Sequence, residues 1–111
     1  MILRLWRGWT APGDADAFEA LIRSTIFPGI VARKIDGLLR LDLARHDGDG
    51  DGETEFMTLM WFADREGVVR FAGPDWETSV VPLSARAVLS RFDPKVAHYD
   101  TRIALQIAPR G

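Results

Sequence analysis

The segment 54–62, TEFMTLMWF, restricts the fold of this chain more than any other, because it is apolar on both sides. Successive side chains of a β-strand point to opposite faces of the sheet. A strand here places three large apolar side chains on each face: Phe56, Met60 and Phe62 on one, and Met57, Leu59 and Trp61 on the other. A sheet covered on one side needs only one apolar face. The segment therefore predicts a sheet that is covered on both sides.

The first half of the chain predicts a strand, a helix and a second strand. Residues 2–9 favour a strand that ends at a Pro-Gly turn. Asp14 is typical of a helix N-cap, and Pro28 should disturb the helix that follows it. Residues 38–45 alternate, with the leucines on one face and polar residues on the other: Leu39, Leu41 and Leu43 against Arg40, Asp42 and Ala44.

The second half adds the strand 54–62, helices and a last strand. Asp64 is a predicted N-cap, and Gly73-Pro74 should end its helix. Residues 75–90 are predicted to be helical in two pieces around Pro82, with Ser84 capping the second, and residues 95–107 to form the last strand. The order β-α-β-β-α-β predicts an α+β, ferredoxin-like antiparallel sheet with helices on one face.

The length of 111 residues allows one domain, over residues 1–111. Its predicted elements leave nothing to cover the second apolar face of the sheet. The simplest cover is a second copy of the same sheet, so the sequence predicts a homodimer with sheets packed face to face.

Composition excludes several classes of function. The absence of cysteine rules out disulfides and thiolate metal sites, and two histidines make a transition-metal site improbable. A formal net charge of −2 argues against a nucleic-acid partner. There is no leader-like segment and no apolar run of the ~20 residues that cross a bilayer, so we expect a cytoplasmic protein without a membrane partner. No nucleotide-binding motif is present, and no cofactor is expected.

The loop 47–52, DGDGDG, resembles the start of a calcium-binding loop. Asp47, Asp49 and Asp51 occupy the first, third and fifth positions. The twelfth position, where such loops have a bidentate glutamate, is Thr58, and the flanking segments are strands rather than helices. We therefore interpret the loop as the solvated tip of a hairpin that could at most hold a cation weakly.

Four segments together resemble the dimeric α+β barrel proteins of the antibiotic biosynthesis monooxygenase superfamily. They are L-R-L-W-R-G-W, F-P-G-I, F-M-T-L-M-W-F and S-R-F-D-P-x-x-x-H-Y, and the similarity covers about residues 2–103. The resemblance implies a ferredoxin-like protomer, a barrel made by two of them, and a pocket between helices and sheet. Members of this superfamily include oxygenases of polyphenols and quinols that use neither flavin nor metal, haem-degrading enzymes, and proteins with no demonstrated catalysis.

The sequence departs from two patterns within that superfamily. Haem-degrading members use a histidine on the second helical region, and residues 76–90 contain none. Some polyphenol oxygenases have an asparagine four residues before the tryptophan that corresponds to Trp61, where this chain has Met57. The resemblance thus implies a cofactor-independent monooxygenase-like protein acting on a small aromatic or quinol-type compound. The alternatives are a non-catalytic binding or accessory protein of the same fold, and an isomerase or lyase using the same pocket.

His98 is the candidate base for such chemistry. An imidazole can take a phenolic proton near neutral pH, which makes a hydroquinone electron-rich enough to react with oxygen. Asp100 lies two residues later on the same strand face and could orient the ring. The competing interpretation is that His98 only hydrogen-bonds near the sheet end or the dimer interface.

Trp61 and Trp76 are the candidate walls of a substrate pocket. Trp61 matches the superfamily tryptophan, and Trp76 follows a Gly-Pro break where a loop could form a lid. Aromatic walls suit flat ligands, although a hydrophobic core uses the same residues. Arg40 and Asp42 share a strand face, and Arg4 is expected to face a similar way; ion pairing at the surface or between protomers is the expected role of these charges.

Overall fold

The computed structural model describes residues 1–50 and 52–110. In these residues an antiparallel sheet has the order β2-β3-β1-β4, and β5 pairs with β1 beside β4. The strands are β1 (Ile2–Thr10), β2 (Leu38–His46), β3 (Thr54–Phe62), β4 (Arg91–Phe92) and β5 (Ala97–Asp100). The α-helices are α1 (Ala15–Leu21), α2 (Phe27–Ala32), α3 (Arg65–Ala72) and α4 (Leu83–Arg86). The predicted α+β, ferredoxin-like arrangement is confirmed, with the last strand divided into β4 and β5.

The two central strands, β1 and β3, have one face against the helices. Their pairing runs from Ile2 opposite Phe62 to Thr10 opposite Thr54 without a break. On the helix side, one group of buried side chains packs around Phe18 of α1 and another around Val68 of α3. The predicted alternation of 54–62 is confirmed, because Phe56, Met60 and Phe62 are buried there.

The other side of the sheet, which we call the open face, has no element of the described chain over it. The C-terminal residues 101 and 103–106 line a groove together with Trp61 of this face. The apolar side chains of the open face are half-buried. They are Leu3, Leu5 and Trp9 of β1 and Met57, Leu59 and Trp61 of β3.

The first helical region is continuous but irregular. A short 3-10 turn, Pro12–Asp14, leads into α1, and Asp14 makes no side-chain capping bond. A π-helical segment, Ile22–Ile26, joins α1 to α2. Pro28 has no N–H to donate to the carbonyl four residues earlier, and its ring crowds that carbonyl, so a widened turn before it lets the helix continue. Pro28 thus disturbs the helix, as predicted, without ending it.

The edge strand β2 contains a β-bulge. Leu38 pairs with Phe62 and Arg40 with Trp61, so Leu39 is the additional residue. The predicted set of three leucines on one face is therefore wrong at one position. Leu38 joins Leu41 on the helix side, whereas Leu39 is 58% exposed.

The second helical region is shorter than predicted. The Asp64 carboxylate accepts a hydrogen bond from the Gly67 amide (3.0 Å), which confirms the predicted cap of α3. Gly73, with φ of 82°, ends the helix. Residues 75–82 form turns and extended chain instead of a helix, and α4 begins after Pro82, which places Ser84 inside the helix rather than at its cap.

The last strand is also shorter than predicted. It ends at Asp100, and residues 101–110 form no helix or strand. The apolar side chains of this C-terminal segment are largely exposed: Ile103, Leu105 and Ile107. No helix in the described residues has the length and apolarity that crossing a membrane requires.

Candidate functional site

A cavity lies between the helical layer and the centre of the sheet. Its volume is about 60 Å³, the space of about four water molecules. Aromatic side chains from both layers contribute to its wall, including Phe18 of α1, Phe27 of α2 and Phe71 of α3. The wall is mostly apolar, and Arg4 is the single charged residue on it among the described residues. An enclosed apolar space with few polar groups is the usual form of a small-molecule site.

The floor of the cavity is formed by four neighbouring residues of the two central strands. Arg4 and Trp6 of β1 pair with Met60 and Thr58 of β3, respectively, and all four line the cavity. Opposite residues in such a pair have side chains close together on one face. The floor therefore includes the side chains of one arginine, one tryptophan and one threonine.

Trp6 has an unpaired polar atom. Its Nε1–H is buried and has no hydrogen-bond acceptor in the described chain. A buried donor without a partner costs about 1–3 kcal/mol. An acceptor on a bound ligand would remove that cost.

Arg4 is almost completely buried, at 2% exposure. Its guanidinium donates to the backbone carbonyls of Trp76 and Thr78 and contacts Nε2 of His98 at 3.1 Å. Its carbon Cζ lies 5.4 Å from the centre of the Phe71 ring. Burial lowers the pKa of Arg4 to about 10, so the side chain stays charged at neutral pH.

His98 lies beside Arg4 but is not part of the cavity wall. Its ring meets the edge of the Trp76 ring, with 4.8 Å between centroids, in a tightly packed space that includes Val68. Burial, and then the charges of Arg4 and Arg65, lower the pKa of His98 to about 4. The imidazole is therefore neutral at pH 7. Because a guanidinium only donates, Nε2 is the acceptor and the proton is on Nδ1.

The other predicted site residues have separate surroundings. Asp100 shares the helix-side face with His98, as the spacing predicts, but it is exposed and has no hydrogen bond to that ring in the described structure. Trp61 lies on the open face, where its Nε1–H donates to Asp42 (3.1 Å). Trp76 covers His98 and offers its carbonyl to Arg4. None of these three residues lines the cavity, and their predicted roles stay predictions.

Arg4 is the residue that sequence reasoning placed on the wrong side. Arg40 and Asp42 form an exposed ion pair on the open face (2.8 Å), as expected, whereas Arg4 faces the helices. The available signal was the alternation of β1, since Ile2 and Trp6 share a face with position 4. The charge of Arg4 instead favoured placing it on the same face as Arg40 and Asp42.

The hairpin loop has no described metal site. The Asp47 carboxylate accepts from Arg45 (2.8 Å) and from the Thr54 hydroxyl (3.3 Å). Asp51, the third aspartate of the calcium-like pattern, lies outside the described residues. Within those residues, no group of three or more metal-ligating side chains is close enough to hold an ion.

Comparisons with protein-family models and with curated protein sequences give no match to this chain. The structure, however, is similar to solved structures along nearly its whole length. A protein from Bacillus cereus, described as a candidate antibiotic biosynthesis monooxygenase, is 18% identical with a TM-score of 0.63, over 96% of this chain and 97% of that one. One from Deinococcus radiodurans with the same description is 15% identical with a TM-score of 0.60, over 98% and 100%.

A third similar structure is the N63A mutant of SnoaB, a cofactor-independent oxygenase from Streptomyces nogalater. It is 17% identical with a TM-score of 0.52, over 94% of this chain and 96% of that one. At these identities the likeness concerns the course of the backbone. The chain therefore has the fold of the antibiotic biosynthesis monooxygenase proteins, which confirms the structural part of the resemblance seen in the sequence.

Proposed function

We propose that this protein binds a small aromatic, quinol-type compound in the cavity and oxygenates it with molecular oxygen, without a flavin or a metal. The observation that carries the proposal is the aromatic-walled cavity between helices and sheet, with one charged group at its floor. The shared fold with SnoaB adds support, because that protein is described as a cofactor-independent oxygenase.

The chemistry needs little from the protein beyond binding and charge. Solvent water takes the phenolic proton when the substrate binds beside Arg4 as its phenolate, because a nearby positive charge favours the anion. The phenolate ring is electron-rich and supplies electrons to oxygen. In the full reaction a hydroquinone becomes a hydroxyquinone: one ring C–H becomes C–OH and the two ring hydroxyls become carbonyls, a loss of four electrons. One oxygen atom enters the product and the other leaves as water. Arg4 acts on this reaction by stabilising negative charge that develops on the substrate oxygen in a site that excludes water.

His98 is assigned a positioning role in this proposal. Its ring contacts Arg4 rather than the cavity. A neutral imidazole that accepts from Nη1 helps to hold the guanidinium at the cavity floor. The predicted role of His98 as the base itself is the alternative, and His98→Gln separates the two roles, because a glutamine can accept from Arg4 but cannot take up a proton.

Oxygen uptake tests the function. The chelator-treated protein should accelerate oxygen consumption by a soluble hydroquinone well above the protein-free rate. We expect His98→Ala to lower kcat about tenfold or more. His98→Gln should retain more activity, because the glutamine carbonyl can still accept from Arg4.

The controls are protein-free autoxidation and Arg23→Gln, since the Arg23 side chain is exposed on the helical side and does not line the cavity. A rate equal to autoxidation would contradict the oxygenase proposal. Equal activity of wild type and both His98 variants would remove His98 from the mechanism.

A second candidate is a binding or accessory protein without catalysis. One observation favours it: among the described residues, the cavity wall contains no histidine, carboxylate or tyrosine that could serve as a base. A ligand that binds tightly in the cavity without oxygen consumption would support this candidate. Isomerase or lyase activity would appear as turnover that proceeds without oxygen.

We also infer that two copies pair through the open face. The inference rests on its apolar residues on β1 and β3, over which the described chain places no helix or strand; the C-terminal residues 101 and 103–106 share only a groove with Trp61. Burying apolar surface contributes about 25 cal/mol for each Å² removed from water. A second copy supplies a matching apolar sheet.

A further inference from the structure

We propose that the cavity recognises its ligand by an anionic oxygen, a phenolate or a carboxylate, bound to Arg4 at the cavity floor. This proposal rests on the proposed function for the location of the ligand. It adds the charge and the size of the molecule that binds there. Binding through this oxygen is separable from turnover, so the two proposals can fail independently.

The first support is a buried positive charge without a counter-ion. In the described chain no carboxylate lies within ion-pair distance of Arg4, and its acceptors are two backbone carbonyls and a neutral imidazole. Arg45 shows the contrast, since it pairs with Asp16, Glu19 and Asp47. Buried charges are normally paired, because removing an ion from water is costly. A ligand anion would supply the missing partner.

The second support is the set of free hydrogen-bond donors. A guanidinium has five N–H donors, and the contacts of Arg4 in the described structure use two on Nη1 and one on Nη2. The Nε1–H of Trp6 has no acceptor, and the Thr58 hydroxyl lies opposite Trp6 across the strand pair. An anionic oxygen accepts several such bonds at once, whereas a neutral hydroxyl or an apolar group does not.

The third support is the sign of the surrounding charge. Arg65 stacks over Trp76 at 4.8 Å, and Arg33 lies 5.3 Å from the Phe71 ring, the same ring that Arg4 contacts. These neighbours add positive rather than negative potential near Arg4. An anion is favoured in such a field, and a cationic ligand is disfavoured.

The cavity also limits the size of the ligand. A volume of about 60 Å³ is smaller than the ~150 Å³ cavity that holds a benzene ring, so even a single ring requires the wall side chains to move apart. Phe18, Phe27 and Phe71 offer that ring aromatic contacts. The cavity therefore favours a single-ring compound with one anionic oxygen directed at Arg4.

Matched probes test this without any mutation. Benzoate and benzyl alcohol have the same ring and differ in charge. We expect the wild-type protein to bind benzoate at least about tenfold more tightly, measured by calorimetry and by tryptophan fluorescence. 4-Nitrophenol tests whether the anionic oxygen can be a phenolate. When bound, it should ionise at a pH about one unit lower than when free, because a nearby positive charge favours the anion. The colour change of the phenolate reports that shift directly.

Variants test whether Arg4 causes the benzoate preference and the 4-nitrophenol shift. Arg4→Met should abolish both the benzoate preference and the 4-nitrophenol shift, Arg4→Lys should retain part of them, and Arg23→Gln should leave them unchanged. Should Arg4→Met fail to fold, the comparison of benzoate with benzyl alcohol and the 4-nitrophenol shift, both on the wild-type protein, still test whether the cavity prefers an anion. Benzoate preference alone assigns a carboxylate, and the 4-nitrophenol shift alone assigns a phenolate.

Three outcomes overturn the inference: equal affinity for benzoate and benzyl alcohol without a 4-nitrophenol shift, no binding of any probe, or a preference that survives Arg4→Met. Failure of the oxygenase proposal looks different, because the anion preference then remains while the hydroquinone is not consumed. Turnover of a hydroquinone without any anion preference would contradict only the proposal that Arg4 binds an anionic oxygen.

Discussion

Among single residues, His98 carries the clearest pH dependence. Folding lowers its pKa to about 4 from 6.5, by burial first and then by the charges of Arg4 and Arg65. As the pH falls from about 6.5 to about 4, the unfolded chain takes up this proton before the folded one, so the free energy of unfolding decreases across that window. Partial exposure of the ring reduces the effect, and we expect a loss of about 2 kcal/mol.

Urea unfolding of wild type and His98→Gln at pH 7 and pH 4 measures this contribution. The variant cannot take up the proton, so its stability should change less between the two pH values. The difference between the two proteins isolates His98 from the carboxylates, which are present in both. An identical change in both proteins would show that His98 does not couple stability to pH.

At the residue scale, the sequence could predict which strand carries His98 but not what the ring touches. The alternation of 97–100 placed His98 and Asp100 on one face, and the pairing of β5 with β1 shows the same. The contact with Arg4 depends on which strand lies beside β5 and in which register. Neither is encoded by the spacing of residues within one strand.

At the scale of elements, the α3 cap is the clearest local determinant. Asp64→Ala removes the acceptor of the Gly67 amide, and we expect a loss of about 1 kcal/mol in the free energy of unfolding. Asp14→Ala is the matched control, because Asp14 precedes α1 without a side-chain capping bond. Its cost should be a few tenths of a kcal/mol, from the helix dipole alone. Urea unfolding at pH 7 compares them, and equal losses would contradict a specific cap at Asp64.

Strands with a clear alternation were predicted closely, whereas the segment 75–90 was not. Its helical residue types suggested two helices, but backbone carbonyls of Trp76 and Thr78 accept from Arg4 instead. Thr78 also forms a bridge with Lys95. These bonds join residues far apart in sequence, so local propensity could not reveal them. The last strand was overestimated because residues 101–107 alternate without a partner strand in the described chain.

At the scale of the whole molecule, the open face makes an oligomer test possible. We expect a dimer by light scattering at micromolar concentration. Leu59→Lys should shift it to a monomer, since it places a charge at the centre of the open face. Leu83→Lys is the matched control, because Leu83 is 82% exposed on the helical side. A wild-type monomer would contradict the face-to-face pairing, and a dimeric Leu59→Lys would locate the interface elsewhere.

The fold topology could be predicted from the order of elements along the chain, but the lining and shape of the cavity could not. Ferredoxin-like order could be predicted from hydrophobic patterning and turns, and it positions helices over the sheet. Arg4 and Thr58 line the cavity at positions of β1 and β3 that face the helices. Its shape depends on packing between α1, α2 and the sheet, which a single sequence specifies only through the complete fold.

The bulge at Leu39 has a consequence for the behaviour of the protein at high concentration. A regular, flat edge strand offers its free amides and carbonyls as a template on which further chains can add and grow into fibrils. The additional residue interrupts the spacing of those groups on β2. Arg40 and Arg45 add charge along the same edge. Growth of the sheet sideways is thereby discouraged, which leaves its flat face as the place where two molecules can meet.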